Sequence, residues 1–120
     1  MTPIRNWWAE DPERNARYYQ DALNETGEPP ATPEPWLCQK ILRRLMGSAA
    51  MLTIIPFQDW MAIDGKHRKE NPEGERINNP AGGGYWKYRM HLTIEELAKL
   101  DDLSRTINDM VRDTKRDVPM

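Results

Sequence analysis

The sequence predicts an α/β fold that is mostly helical, with one buried strand of the kind found in parallel sheets. Three observations carry this. Apolar residues recur at helical spacing in two segments, each preceded by a start signal. One short, β-branched run, Ala50 to Ile55, carries no charge. Prolines and glycines punctuate the chain between these segments. At 120 residues the chain suits one domain and is short for two, so residues 1–120 are read as a single unit.

From Ile4 to Leu23 the apolar and aromatic residues gather at the two ends. Between them, Asp11-Pro12-Glu13 reads as a helix start, with Asp11 as N-cap and Pro12 in the first helical position. This predicts a helix over about 12–24 that ends near Gly27. Glu28 to Pro35 holds four prolines in eight residues and must be extended or turning. A second helix is predicted over 36–46, where Leu37, Ile41, Leu42 and Leu45 fall on one stripe and Gly47-Ser48 closes it.

The run over 50–55, bounded by Pro56, is predicted as a strand buried on both faces. A lone strand leaves its backbone donors and acceptors without partners. Either copies of the chain associate, or the partner strands belong to other sequence. Phe57 to Ile63 suits a short helical turn, and Asp64 to Gly84 is a long polar loop of a length that tends to be functional or disordered. Tyr85 to His91 alternates like a packed extended segment. Thr93 with Glu96 forms a capping box, and Ile94, Leu97, Leu100, Leu103, Ile107, Met110 and Val111 then predict an amphipathic helix over about 93–115.

Composition narrows the function. Apolar residues make up 38% and charged residues 30%, so the core is thin, partly offset by five Trp and four Tyr. Net charge is −2 with no basic stripe, which argues against a nucleic-acid partner. Cys38 is the only cysteine, so no intramolecular disulfide forms. His67 and His91 have no spacing of paired metal ligands. The longest apolar stretch, Ala49 to Pro56, falls far short of the roughly 18 residues of a membrane helix, and Met1 to Arg5 begins no signal peptide. No membrane partner and a cytoplasmic location are the expectations.

Three segments bear on chemistry. Pro56-Phe57-Gln58-Asp59-Trp60 follows the predicted strand, where active-site residues gather in parallel α/β folds. There Gln58 and Asp59 either bind hydroxyls or, for Asp59, cap a helical turn while Phe57 and Trp60 pack. In Glu75-Arg76-Ile77-Asn78-Asn79-Pro80 the Arg and Asn side chains suit a polyhydroxylated ligand, against an ion pair and an Asx-turn. Gly82-Gly83-Gly84-Tyr85-Trp86 offers either a sugar-stacking loop or core aromatics, and it lacks a phosphate-loop ending.

Ile4-Arg5-Asn6-Trp7-Trp8-Ala9-Glu10-Asp11, Glu34-Pro35-Trp36, Gln58-Asp59-Trp60, Glu75-Arg76-Ile77-Asn78-Asn79-Pro80 and Tyr85-Trp86-Lys87-Tyr88-Arg89-Met90-His91-Leu92-Thr93 resemble, in order, the 4-α-glucanotransferases. These are the amylomaltase and disproportionating enzymes of glycoside hydrolase family 77. Asn6 stands where that family usually has Gly, Pro56-Phe57 where Leu is common, and Ala81-Gly82-Gly83-Gly84 where a bulkier loop is common.

The resemblance implies the C-terminal portion of an elaborated (β/α)8 TIM barrel, retaining transfer of α-1,4-glucan between maltodextrins, and no cofactor. It also implies that the three catalytic carboxylates precede Ile4, leaving no catalytic residue in this chain, which is expected to be inactive alone. Gln58, Asp59, Arg76 and Asn78 fall on positions beside the sugar cleft and are the candidate substrate-binding residues.

Three readings follow. The chain is one portion of an α-glucan disproportionating enzyme, meeting maltooligosaccharide through the full-length protein. Alternatively it is a non-catalytic interaction module, self-associating or pairing with a missing N-terminal part. A third reading is a glucan-binding module built on exposed Trp residues, against which Trp7, Trp36 and Trp86 are expected to be packed.

Overall fold

The computed structural model describes residues 2–77 and 88–117. In chain order the helices are α1 (Ile4–Glu10), α2 (Pro12–Arg17), α3 (Pro35–Met46), α4 (Phe57–Met61), α5 (Ile94–Leu97) and α6 (Asp101–Asp113). A π-helical turn, Tyr18–Ala22, continues α2, and a 3-10 turn spans Pro72–Glu75.

Local signals set most of the boundaries. Asp11 separates α1 from α2, and its Oδ1 accepts from the Arg14 N–H at 3.0 Å, with Pro12 in the first turn where a missing N–H is harmless. The π-helical turn ends at Asn24, whose φ of 55° lies in the left-handed region that Asn tolerates. At the far end of the chain, Lys115 (φ 57°) plays the same part for α6. There the Lys115 N–H reaches Arg112 O and the Arg116 N–H reaches Val111 O, both at 2.9 Å, a pattern that satisfies the last carbonyls of the helix.

The core gathers around α3. Leu37, Cys38, Ile41, Leu42 and Met46 are buried and meet Ile4 and Trp8 of α1, Tyr19, Leu23, Ala62, and Met110 of α6. A smaller cluster joins Met61 to Leu100 and Leu103. The buried stripe therefore takes Cys38 and Met46 rather than Leu45, which is exposed. Trp36, expected to be packed, is also exposed: its ring meets Tyr19 edge-on at 6.5 Å while its indole N–H donates to Glu34 Oε2 at 2.8 Å. It sits at the first turn of α3, off the stripe that faces the core.

Two larger corrections concern the C-terminal helix and the strand. The apolar repeat over 93–115 does not make one helix. Thr93 and Glu96 form the capping box, but the helix it opens ends after Leu97. At Leu100, ψ of 64° breaks the hydrogen-bond ladder, and α6 restarts at Asp101 with Asp101 and Asp102 in its first turn. The break lets Leu100 and Leu103 both reach Met61.

The buried strand over 50–55 is not present, and the described residues contain no β-strand. The segment is irregular, neither helix nor strand, with Met51, Leu52 and Ile54 at 83%, 73% and 71% exposure. The reason is the one that makes a lone strand costly: a ladder needs a second strand, and the described residues provide none. The described part of the α/β prediction is thus helical, with an irregular apolar segment in the place of the strand.

Candidate functional site

Three stretches far apart in sequence converge where α1 meets α4 and the 3-10 turn. Arg5, although charged, is buried. Its guanidinium donates to Glu75 Oε1 at 2.9 Å, to Lys69 O at 2.6 Å and to Glu70 O at 3.2 Å. Such a buried pair is tolerated when hydrogen bonds replace the lost water; here three bonds do so, while Arg5 Nε and Glu75 Oε2 are buried without a protein partner among the described residues. Beside it, the Asn6 amide donates to Pro72 O and Glu73 Oε1, both at 3.2 Å.

Asp59 lies in α4 and completes the junction. Its Oδ1 accepts from the Ile4 N–H at 2.8 Å, capping the first turn of α1 from 55 residues away. The Gln58 amide donates to Glu75 O at 3.3 Å. Neither of the open alternatives for Asp59 describes this arrangement fully: it caps a helix, but α1 rather than its own turn.

Of the candidate residues, Gln58 and Asp59 are thus brought together and buried. Arg76 lies at the rim, where its guanidinium pairs with Glu73 at 3.1 Å and Glu10 at 3.5 Å. Asn78 and the aromatics Tyr85 and Trp86 lie outside the described residues. Lys69, which donates to Gly74 O and Arg89 O, holds its ammonium 4.7 Å from the Tyr88 ring and ties the returning chain to the 3-10 turn.

Burial pushes the Asp59 carboxyl up to about 6, opposed by the Ile4 N–H and reinforced by the nearby Glu75 charge. Glu75 is also raised by burial, with Arg5 pulling the other way. Two neighbouring carboxyls with raised pKa values are a common signature of acid-base catalysis. Here their oxygens are engaged by a helix N–H and by a buried guanidinium, which are structural duties. Burial likewise pushes the Cys38 thiol up to about 12, so it remains protonated and unreactive.

Arg5, Asn6 and Glu75 stand inside motifs of the sequence whose spacing gives no sign of their roles. The signal available was a charged or amide residue within an aromatic run, Ile4-Arg5-Asn6-Trp7-Trp8, which folds as a helix with Arg5, Asn6 and Trp8 buried. The two histidines do approach each other. His67 Nδ1 meets Asp64 Oδ2 at 2.9 Å, and His91 Nε2 contacts the His67 carbonyl. No group of three or more metal-ligating side chains forms among the described residues, and no helix there is long and apolar enough to cross a membrane.

Comparison with known proteins identifies the family. The family described as 4-alpha-glucanotransferase matches residues 1–94. The chain is also similar to 4-alpha-glucanotransferase DPE2 of Oryza sativa subsp. japonica, 32% identical over 117 residues. That match covers 97% of this chain and 12% of the rice protein, so the chain spans a small part of its relative's length. No solved structure matches the chain. A family match over residues 1–94 and a 32% identical relative that covers 97% of the chain place this chain in the 4-alpha-glucanotransferase family.

Proposed function

We propose that the chain is the C-terminal portion of a 4-α-glucanotransferase barrel, an enzyme that moves α-1,4-glucan segments between maltodextrins with retention. Retaining transfer needs a nucleophile and an acid/base carboxyl about 5–5.5 Å apart. In this reading those carboxylates come from sequence preceding Ile4, and residues 4–77 shape one wall of the sugar cleft. Arg76, at the rim, meets a glucan hydroxyl together with Asn78, while Gln58 and Asp59 hold the wall in position from behind.

The observation that supports this most is the convergence of the Ile4–Asn6, Gln58-Asp59 and Glu75-Arg76 segments on one junction. A wall assembled from remote segments by buried polar bonds is rigid, as a site that orients substrate requires. With the carboxylates elsewhere, the chain alone binds without reacting, since positioning groups act only together with the groups that do chemistry.

Incubating the pure chain with maltotriose is therefore expected to give no glucose and no longer maltodextrins. Their appearance would overturn the assignment of the carboxylates to other sequence. Titration with maltoheptaose is expected to show weak binding that Arg76→Ala diminishes. Exposed Trp36 favours a second reading, a glucan-binding surface on α3. Binding lost in Trp36→Ala and kept in Arg76→Ala would select it.

A further inference from the structure

Two carboxylates from different elements hold Arg76. Glu73, in the 3-10 turn, accepts its Nε–H at 3.1 Å, and Glu10, the last residue of α1, accepts from Nη2 at 3.5 Å. Ion pairs as exposed as these add little to stability, so their worth lies in what they do to the guanidinium.

Glu73 is fixed from behind. The oxygen that receives Arg76, Oε1, also accepts from the amide of buried Asn6 at 3.2 Å. The Glu73 N–H donates to Asn71 Oδ1 at 3.0 Å, so side chain and backbone are both held. A buried amide thus sets the carboxylate, and the carboxylate sets the guanidinium. Glu10 stands at the C-terminal end of α1, where the helix dipole disfavours a carboxylate and the last turn has no basic residue. Arg76 is the one side chain to which Glu10 bonds among the described residues.

The consequence is electrostatic. An arginine with its fork free takes phosphate or carboxylate by two parallel bonds. Here the Nε and Nη2 edge is already filled by carboxylates, while Nη1 has no protein partner among the described residues. One cation facing two anions opposes a further anion but leaves N–H groups for an uncharged acceptor. Neighbouring charges do not reverse this. Arg5 is matched by buried Glu75, and Lys69 turns its ammonium to Gly74 O and Arg89 O.

We propose that Glu10 and Glu73 set the selectivity of Arg76, presenting it to an uncharged glucan hydroxyl and turning away phosphorylated glucan. This rests on the reading of Arg76 as a rim residue of the sugar cleft, and the test separates the two.

Inorganic phosphate would be titrated against the intact chain at low salt, with the amide resonances of residues 73–77 as the signal. The parent is expected to show no saturable shift, and Glu10→Gln/Glu73→Gln to bind phosphate at least about tenfold more tightly. Glutamine keeps an oxygen that accepts from Asn6 and Arg76, so the variant removes charge and leaves the bonds. Glu10→Gln alone disturbs no bond of the junction and is expected to give part of the gain. Adding Arg76→Gln is expected to abolish it. Phosphate bound equally by parent and both Glu variants, or a gain that persists without Arg76, would overturn the proposal. Maltoheptaose that leaves the same resonances of the parent unmoved would overturn the cleft reading, while the phosphate titration decides the charge selection by itself.

Discussion

The junction around Arg5 and the ridge at Met51–Ile55 are opposite solutions to the same problem, the satisfaction of polar groups. At the junction, charged and amide side chains are buried, and each makes at least one bond to another part of the chain, with only Arg5 Nε, Asn6 Oδ1 and Glu75 Oε2 left unpartnered among the described residues. At the ridge, apolar side chains are exposed and five successive peptide groups find no protein partner among the described residues. Polarity alone would have put them the other way round. Burial follows the supply of partners rather than the character of the residue, and a segment whose partners are missing stays outside however apolar it is.

The sharpest way to break this contrast is to take one partner from the junction. Glu75→Ala leaves the Arg5 guanidinium buried beside two carbonyls and no carboxylate, and is expected to cost about 3–5 kcal/mol of stability. Urea unfolding followed by Trp fluorescence measures it, and a loss below about 1 kcal/mol would mean that water reaches Arg5 easily.

Asp59→Asn works in the opposite direction. The folded carboxyl titrates near 6, above its ordinary 3.8, so its contribution to stability is fully present below about 4 and is lost as pH rises through 6. Asn keeps the oxygen that accepts from Ile4 and carries no charge. The variant is expected to be more stable than the parent by up to about 2 kcal/mol above pH 6.5, with the gap closing toward pH 4. Thermal melts at both pH values test this, and a gap of the same size at each would exclude titration of Asp59 as its source.

The smallest effect belongs to the ridge. Ile54→Thr removes apolar surface that is already in water and is expected to change stability by less than about 0.5 kcal/mol. A loss of several times that amount would show that Ile54 is covered in solution.

What was legible in the sequence were features whose cause is local. Asp11-Pro12 announces α2, Glu34-Pro35 precedes α3, and Thr93 with Glu96 announces a capping box, because each signal and its target lie within a few residues. The end of α5 was hidden. The apolar repeat runs unbroken through Leu97 and Leu100, and only the position of Met61 shows why the chain turns there.

Met51–Ile55 has the composition of a buried strand but not its structure, because composition reports what a segment would do with neighbours, not whether it has them. At the candidate site, Gln58, Asp59 and Arg76 drew attention through the residue types around them. Arg5 and Glu75 did not, because a pair 70 residues apart leaves no trace in spacing.

That separation also sets an order in time. As the chain leaves the ribosome, Arg5 emerges 70 residues ahead of the carboxylate that will neutralise it, and Ile4 55 ahead of the Asp59 that caps its helix. At roughly 5–20 residues per second this is a delay on the order of several seconds. During it the nascent α1 carries a bare cation among tryptophans, seven residues long and too short to persist by itself. α1 is accordingly secured only after α2, α3 and α4 have all emerged.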